Sequence, residues 1–508
     1  MNANLYALFE SHFPKGDAQA CLIVHGRAPV DYDELATLSA RIANALVAAG
    51  CKPGDRVAVQ VDKHWQALAL YLATLRAGLV YLPLNTAYRR AELDYFFDDA
   101  RPRVIVCEPE RLGVIETLAR GATVLTLDAE GGNVMQRARE SADAFTTVAR
   151  GPDDLAAILY TSGTTGRSKG AMLTHRNLAS NALALVDAWS FTRGDVLLHA
   201  LPIYHVHGLF VAVHCALLSA SRMIWLPKFD AREVASLLPR ATVMMGVPTF
   251  YTRLLREPLL DRGRVANIRL FVSGSAPLLI DTFTEFEART GHRILERYGM
   301  TETGMNTSNP LHGERKAGTV GPSLPGVSIR VVDTAGDACN NGAIGAVEVR
   351  GPNVCAGYWN QPDKTAEATT ADGWFRTGDL GSLDAGGYLT ICGRAKDMII
   401  SGGLNVYPKE IEERIDALPG VVESAVVGIP DADFGEAVVA VVIARGDHAF
   451  DEAGVIAALK QNIARFKVPK RVIFVDELPR NAMGKVQKNL LRERYSTSGH
   501  APETGPTL

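Results

Sequence analysis

Residues 160–170 read YTSGTTGRSKG, and this short segment determines what is expected of the rest of the chain. Eight of its eleven residues are Gly, Ser or Thr, and it follows the apolar run LAAILY. Glycines let backbone N–H groups turn toward an anion, hydroxyls add donors, and Lys169 adds a positive charge. The usual P-loop pattern is absent, because no GK[ST] follows a four-residue gap. Composition alone fits either a polyphosphate-binding loop or a flexible surface loop.

Strand-like runs alternate with helical patterns on both sides of this loop. DRVAVQVD precedes HWQALALYLATLRAG, and IRLFVSGSA precedes PLLIDTFTEFEARTG. Such alternation predicts parallel sheets with helices on both faces. From about Gly318 the strands become short and are separated by Gly- and Asp-rich turns, which predicts an antiparallel, barrel-like unit. The expected fold class is therefore α/β with a β-barrel-like part.

The chain is long enough for more than one domain. It has 508 residues and is 47% hydrophobic, so more than one core is expected. Smaller strand–helix alternation resumes after GRAKDMII, which places a boundary at residues 394–397. We expect a large N-terminal domain over 1–393, with two α/β subdomains and the barrel-like one, and a small α/β domain over 398–495. Residues 496–508 lack an apolar period and are expected to form a disordered tail.

Composition also excludes several classes of partner. The net charge is −3 and there is no basic excess, so nucleic-acid binding is disfavoured. Seven cysteines without CxxC spacing fit a reducing compartment better than a zinc ribbon or a disulfide framework. The N-terminus lacks the pattern of a secretory signal. The longest apolar run, WQALALYLATLRAGLVYLPLN, is interrupted by Arg76, Gly78 and Pro83, so no membrane partner is expected. These features predict a cytoplasmic protein.

The segment 160–170 resembles the signature of the adenylate-forming family, which includes acyl-CoA synthetases, luciferases and adenylation domains of peptide synthetases. Further motifs occur in the order that the family uses: PIYHVHG, SGSAPL, YGMTE, WFRTGDL, GRAKDMIISGGLNVYPKEIE and PRNAMGKVQK. The resemblance covers nearly the whole chain. It is strongest to the malonyl-CoA synthetase members, on the strings HALPIYHVHGLF, LERYGMTETGMNTSNP and PRNAMGKVQKN.

This resemblance implies a two-step reaction. A carboxylate, here malonate or methylmalonate, attacks the α-phosphorus of ATP and gives an acyl-adenylate and pyrophosphate. The thiol of CoA then attacks the acyl carbon and AMP leaves. ATP, Mg²⁺ and coenzyme A as co-substrate are therefore expected.

The nucleotide site is implied residue by residue. The 160–170 loop would hold the β- and γ-phosphates, Thr301 a phosphate oxygen, and Glu302 the Mg²⁺ ion, a hard cation that suits carboxylate oxygen. Tyr298 would stack on adenine, and Asp379 would bind the ribose hydroxyls with help from Arg394. The full expected ATP/AMP set is Thr161, Ser162, Gly163, Thr164, Thr165, Gly166, Lys169, Ser275, Ala276, Pro277, Glu296, Tyr298, Gly299, Thr301, Asp379, Arg394 and Lys485.

The C-terminal motifs imply a moving catalytic lysine. Lys485 matches the lysine that stabilises the adenylation transition state, and the implied catalytic set is Lys485, Thr301, Glu302 and His205. An isolated GK would more often be a solvated lysine. Lys396 matches the hinge about which the small domain rotates, and Gly403 matches the glycine that lets the pantetheine of CoA pass. Gly403 is also compatible with an ordinary hairpin. Because acetylation would remove its charge, Lys485 is a candidate target of a lysine acetyltransferase.

Arg297 is the unusual residue of the implied acyl pocket. Most family members have a small residue there, whereas a guanidinium would face the second carboxylate of malonate and pair with it in bidentate fashion. The alternative is a structural ion pair with Glu296 or another carboxylate. The expected substrate set is Arg297, His205, Val206, His207, Ser275 and Met305. His205 matches the family's gate residue, and HVH lacks the third ligand of a metal site.

Three other functions remain open at this point. The chain could be a CoA ligase for another short or branched carboxylic acid. It could be a freestanding adenylation enzyme that loads a separate carrier protein. It could also be a nucleotide-binding regulator that kept the fold, although Glu302, Asp379, Arg394 and Lys485 together argue against this.

Overall fold

The computed structural model describes residues 2–16, 19–161, 168–401, 404–431, 434–445, 451–481 and 484–496. Some predicted site residues lie outside this part of the chain: Ser162, Gly163, Thr164, Thr165, Gly166 and Gly403. Of the predicted tail, only Ser496 is described, and it is the last residue of the final helix.

The described residues form strands and helices that are numbered here in chain order. The strands are β1 (Ala20–Val24), β2 (Val30–Asp31), β3 (Arg56–Gln60), β4 (Val80–Pro83), β5 (Val104–Cys107), β6 (Thr123–Thr126), β7 (Leu155–Thr161), β8 (Lys169–Thr174), β9 (Val196–His199), β10 (Arg222–Trp225), β11 (Val243–Gly246), β12 (Leu270–Ser273), β13 (Leu295–Met300), β14 (Gly304–Ser308), β15 (Ser328–Val332), β16 (Gly345–Arg350), β17 (Phe375–Leu383), β18 (Leu389–Arg394), β19 (Ile399–Ser401), β20 (Leu404–Val406), β21 (Val421–Asp431), β22 (Gly435–Ala444) and β23 (Arg471–Phe474). The α-helices are α1 (Leu5–Glu10), α2 (Tyr32–Ala48), α3 (Trp65–Arg76), α4 (Arg90–Ala100), α5 (Leu112–Glu116), α6 (Gly132–Arg139), α7 (His175–Ala188), α8 (His214–Leu218), α9 (Ala231–Leu237), α10 (Pro248–Leu254), α11 (Ile280–Thr290), α12 (Pro362–Glu367), α13 (Pro408–Asp416), α14 (Glu452–Asn462) and α15 (Lys488–Ser496). A π-helix spans His207–Val213, and short 3₁₀ turns span Pro109–Arg111, Leu238–Arg240, Ala395–Asp397 and Arg465–Lys467.

Two compact units are present, and each is described by itself. The first comprises Met1–Leu278, Thr282–Ile329 and Val349–Phe375, and the second comprises Leu279–Asp281, Arg330–Glu348 and Arg376–Leu508. The domain limits and the hinge at 394–397 concern movement of the small domain, and they stay predictions.

The first unit is built on two sheets with mostly parallel interiors, as the strand–helix alternation predicts. One has eight strands in the order β14-β13-β12-β11-β9-β10-β1-β2, and the other has six in the order β6-β5-β3-β4-β7-β8. Antiparallel pairs occur at their edges, between β13 and β14, β1 and β2, and β7 and β8. The helix α3 is buried on every side from Gln66 to Arg76, which confirms the interpretation of this apolar run as a core helix followed by a strand.

The barrel-like part takes a different form from the one expected. Strands β15 to β18 form a four-stranded sheet in simple sequence order, with β17 and β18 antiparallel. In the described residues this sheet does not close into a barrel. Four strands leave two edges open, and closure would require more strands or strong coiling. The α/β class is confirmed, and the closing barrel is replaced by an open sheet.

The C-terminal sheet has the order β20-β19-β22-β21, with β23 beside β22. Apolar side chains of the long β21–β22 pair alternate between two cores. Val426, Val438 and Val442 face one core with α13 and α14, whereas Val427 and Val439 face the other with α15. This alternation follows from the period of two along a strand. No helix in the described residues is both long and apolar enough to cross a bilayer.

Candidate active site

The segment 160–170 lies beside a buried carboxylate at its Thr161 end. Thr161 and Lys169 are paired in the antiparallel ladder of β7 and β8. The Thr161 hydroxyl lies 3.5 Å from Oε1 of Glu302, and the Tyr358 hydroxyl donates to the same oxygen at 3.1 Å. The Lys169 ammonium lies 4.8 Å from the centre of the Tyr358 ring. Thr161 and Tyr358 thus place two hydroxyls at Glu302, and Lys169 lies over the ring of Tyr358.

Helix α4 braces both ends of this loop. The Tyr95 hydroxyl donates to the backbone carbonyl of Ser168 at 2.8 Å, and the Tyr160 hydroxyl donates to Oδ2 of Asp99 at 2.5 Å. Trp359 donates to the backbone carbonyl of Asp99 at 3.1 Å. Tyr95, Asp99 and Tyr358 were not expected from the sequence. They are distant from the loop in the chain, and no local motif marks them.

Glu302 is presented by a tight hairpin between β13 and β14. Thr301 and Glu302 lie in the turn, directly after Met300 pairs with Gly304. A Cβ atom at Gly299 would lie 2.0 Å from the carbonyl oxygen of Gly304, so only glycine fits there. Glu302 is buried, whereas Tyr298 and Thr301 are half-buried. The hairpin therefore holds a carboxylate, a hydroxyl and an aromatic ring on one short segment.

This carboxylate fits the chemistry of Mg²⁺. Among the described residues, no group of three His, Cys, Asp or Glu side chains could enclose a metal ion. Mg²⁺ is commonly held by one or two carboxylates together with substrate phosphates and water, and it does not need a cage of protein ligands. Glu302, which lies beside Thr161 at the end of β7, meets that requirement.

Arg297 lies on β13 and is buried, with 2% of its surface exposed. Its Nε and Nη2 atoms have no hydrogen-bond partner among the described residues. Burial lowers its pKa to about 9, which still leaves the guanidinium charged at neutral pH. The neighbouring Glu296 accepts a hydrogen bond from the backbone N–H of Leu278 at 3.0 Å. A buried charge with unused donors is costly unless an anion satisfies it, so this geometry favours an anionic ligand.

Gly274, in the segment SGSAPL, makes room for this guanidinium. A Cβ atom there would lie 2.5 Å from Cζ and 2.6 Å from Nε of Arg297. The following residue, Ser275, has a φ of 72°, which is unusual for a residue other than glycine. Its hydroxyl lies 3.3 Å from Nδ1 of His207. The glycine was not singled out from the sequence, although its motif was.

His207 is the first residue of the π-helix, His205 lies two residues before it, and both are neutral. Burial lowers the pKa of His205 to about 4. Burial and, next, the charge of Arg297 hold the pKa of His207 well below its usual value. The Nε2 atoms of both rings have no hydrogen-bond partner among the described residues. His207 thus lies within electrostatic reach of Arg297 and His205, and the two neutral rings offer nitrogens for hydrogen bonds.

The remaining predicted pocket residues are Met305, Val206, Ala276 and Pro277, and they differ in burial. Met305 is buried, and the Asn181 amide binds its backbone twice, donating to its carbonyl at 2.8 Å and accepting from its N–H at 2.9 Å. Val206 and Ala276 are half-buried, and Pro277 is exposed. The structure thus brings Arg297, His207 and Ser275 together. Val206 directly precedes His207, and Met305 lies on β14, the strand that pairs with the strand of Arg297.

In the second unit, Asp379 and Arg394 face each other across β17 and β18. Nε of Arg394 lies 2.8 Å from Oδ1 of Asp379, and Nη1 donates to the carbonyl of Thr377 at 3.0 Å. Asp379 is buried and Arg394 is half-buried. A paired, oriented carboxylate of this kind is suited to accept hydrogen bonds from sugar hydroxyls.

Lys485 is bound through its backbone to Asn481. The Asn481 side chain accepts from the backbone N–H of Lys485 at 3.0 Å, and Arg480 donates to the carbonyl of Gly484 at 2.7 Å. Arg480 also pairs with Glu423 on β21. Lys485 is exposed, yet its pKa lies below the ordinary value of a lysine. The larger cause is partial loss of hydration, and the next is the charge of Arg394. Lys396 is also exposed, in the 3₁₀ turn after β18.

Comparisons with known proteins agree with this geometry. Residues 11–359 match the family described as AMP-binding enzyme, and residues 410–485 match AMP-binding enzyme C-terminal domain. The ATP-bound structure of MatB from Rhodopseudomonas palustris is 57% identical, covers 98% of this chain and 99% of its own, and superposes with a TM-score of 0.96. Malonate–CoA ligase ACSF3, mitochondrial, from Mus musculus is 36% identical over 90% of this chain and 85% of its own length. Feruloyl-CoA synthase from an Amycolatopsis species is 35% identical over 94% of this chain and 96% of its own.

Proposed function

Because this chain belongs to the family of AMP-binding enzymes and has the adenylate-forming fold, we propose that it is an ATP-dependent malonate–CoA ligase. A carboxylate oxygen of malonate attacks the α-phosphorus of ATP and pyrophosphate leaves. The sulfur of CoA then attacks the acyl carbon, AMP leaves, and the thiol proton passes to solvent. The products are malonyl-CoA, AMP and pyrophosphate. Cytoplasmic residence belongs to the proposal and rests on the sequence alone.

One observation supports malonate over a monocarboxylic acid. Arg297 is buried and charged, and two of its nitrogens lack a partner among the described residues. The distal carboxylate of malonate offers two oxygens to this planar donor, whereas acetate and propionate offer a methyl group. The relatives named malonate–CoA ligase agree with this choice.

The site residues have distinct roles in the proposal. Thr161, Lys169 and Thr301 bind phosphate oxygens. Tyr298 on β13 stacks on one face of adenine, and the SGSAPL backbone lines the other face. Glu302 holds Mg²⁺, which neutralises charge on the phosphates when bound. Asp379 accepts from the ribose hydroxyls with Arg394 beside it. Lys485 stabilises the charge that accumulates in the adenylation transition state. Gly403 and the 162–166 segment keep the roles that the family resemblance implies.

The test of this function is AMP release from ATP in the presence of a series of acids, with and without CoA. We expect AMP and malonyl-CoA in equal amounts with malonate and CoA, and much slower turnover with acetate, propionate or ferulate. Higher kcat/KM for a monocarboxylic acid would contradict the malonate assignment. Formation of malonyl-adenylate and pyrophosphate, with no release of AMP on addition of CoA, would favour a carrier protein as acceptor.

If the small domain rotates about Lys396, a proline at this position should impair thioester formation and spare adenylation. In Lys396→Pro the proline ring fixes φ and restricts Ala395, so reorientation at this point should be blocked. We expect malonate-dependent pyrophosphate exchange to survive while malonyl-CoA formation falls by about tenfold or more, since thioester formation depends on this conformational step. Lys396→Ala is the matched control and should retain both activities. Normal malonyl-CoA turnover in the proline variant would place the hinge elsewhere.

A further inference from the structure

Lys63 is a lysine buried in the core of the first unit. Only 7% of its surface is exposed. Its Nζ atom lies 2.7 Å from Nδ1 of His199 and 2.7 Å from the carbonyl oxygen of the same residue, and 4.4 Å from the centre of the Trp225 ring. Burial holds its pKa well below the ordinary value. Burying this amine is costly, and its hydrogen bonds within the described chain all go to one histidine.

The hydrogen bonds of His199 run in one direction. Its Nε2 atom lies 2.9 Å from the carbonyl oxygen of Gly208. A carbonyl only accepts, so Nε2 carries the proton. Burial, and next the charge of Lys63, hold the pKa of His199 well below its usual value, so the ring is neutral and Nδ1 accepts from Lys63. The chain of donors therefore runs from Lys63 through His199 to Gly208.

Gly208 directly follows His207, a residue of the proposed acyl pocket. It is the second residue of the π-helix His207–Val213, a rare conformation that is often found at functional sites. A Cβ atom at Gly208 would lie 1.9 Å from the carbonyl oxygen of Pro202, so the chain passes very close to itself there. His207 precedes Gly208 and contacts Ser275. The hydrogen bond to the Gly208 carbonyl thus anchors the backbone next to His207.

We propose that Lys63 and His199 are positioning residues that set the malonate affinity of the acyl pocket through the Gly208 carbonyl. This inference rests on the proposed function, because it names residues that orient the pocket for the same acid. Neither residue belongs to the set proposed to bind ATP, so ATP binding should not depend on them. Their effect is expected on the KM for malonate, whereas a folding defect would reduce the amount of active enzyme and so lower the apparent kcat.

The test compares three variants with the wild-type enzyme. Lys63→Met keeps the length of the side chain without its donor, and His199→Leu removes both ring nitrogens. His199→Gln is the matched control, because its amide N–H reaches toward Gly208 and its amide oxygen accepts from Lys63. We expect the malonate KM to rise about tenfold in Lys63→Met and His199→Leu, the effect of losing one or two well-placed hydrogen bonds. We expect His199→Gln to stay within about threefold of wild type, and the KM for ATP to remain unchanged in all three.

The malonate KM values of the three variants distinguish a positioning role from a purely structural one. KM does not depend on the concentration of active enzyme, so it can be measured even where a variant yields little folded protein. An unchanged malonate KM in Lys63→Met would overturn the proposal. Equal increases in His199→Gln and His199→Leu, or equal increases in the KM values of malonate and ATP, would do the same. The wild-type reaction with malonate tests the proposed function separately, whereas the ratio of variant to wild-type KM tests only this inference.

Discussion

Lys485→Ala is expected to abolish malonyl-adenylate formation while sparing the second half-reaction. Removing one group that stabilises transition-state charge costs about 2–4 kcal/mol, which corresponds to a loss of roughly 30- to 1000-fold in pyrophosphate exchange. Malonyl-CoA formation from supplied malonyl-adenylate should change by less than about threefold, because this lysine serves only the first step. The measurement is the rate of each half-reaction on the same folded preparation.

Two further variants sharpen this prediction. Lys460→Ala removes the same charge from an exposed position on α14 and should leave both half-reactions unchanged. Lys485→Gln removes the charge as acetylation would, and it should reproduce the defect of Lys485→Ala. Equal losses in both half-reactions would contradict the assigned role. Full activity of protein acetylated at Lys485 would rule out regulation by an acetyltransferase at this residue.

Arg297→Gly should change which acid the enzyme prefers. The variant leaves the distal carboxylate of malonate desolvated without its partner, and such truncations cost about 2–5 kcal/mol. The kcat/KM for malonate should therefore fall by about thirtyfold or more. Acetate and propionate lack the distal charge, so their kcat/KM values should fall far less. The decisive quantity is the ratio of kcat/KM for malonate to that for propionate, in the variant and in the wild type.

Controls separate a substrate contact from a structural arginine. Arg297→Lys should rescue malonate only in part, because an ammonium supplies charge without the planar fork. Arg293→Gly makes the same change at an exposed position two residues before β13 begins, and it should leave the ratio unchanged. If Arg297→Gly lowers kcat/KM for both acids by one factor, the guanidinium serves structure or ATP instead.

Motifs predicted those parts of the molecule whose residues are close in the chain. The segment from Glu296 to Met305 was expected to line the nucleotide and acyl sites, and the structure places it on a single hairpin. The strand–helix alternation likewise predicted the parallel interiors of both large sheets. In each case a local period or a short string contains the information, so sequence reasoning suffices.

Other parts depend on contacts between distant residues and gave no local signal. Tyr358 reaches Glu302 across 56 positions, and Lys63 reaches His199 across 136. An isolated tyrosine or lysine has many ordinary uses, so neither could be assigned before its neighbours were known. The barrel-like part failed for a related reason. Short strands with glycine turns predict antiparallel pairing, but closure depends on strand number and stagger, which local patterns do not specify.

The space left by Gly274 constrains the order in which mutations can change this pocket. A side chain at position 274 and the guanidinium of Arg297 would occupy the same volume, since a Cβ atom would lie 2.5 Å from Cζ. Gly274→Ala introduced first should therefore displace Arg297. It should weaken the activation of malonate without improving the activation of any other acid. After Arg297→Gly, the same alanine would fill empty space. The two sites are thus epistatic, and a directed-evolution library should vary them together, because a single step at position 274 leads through a weakened intermediate.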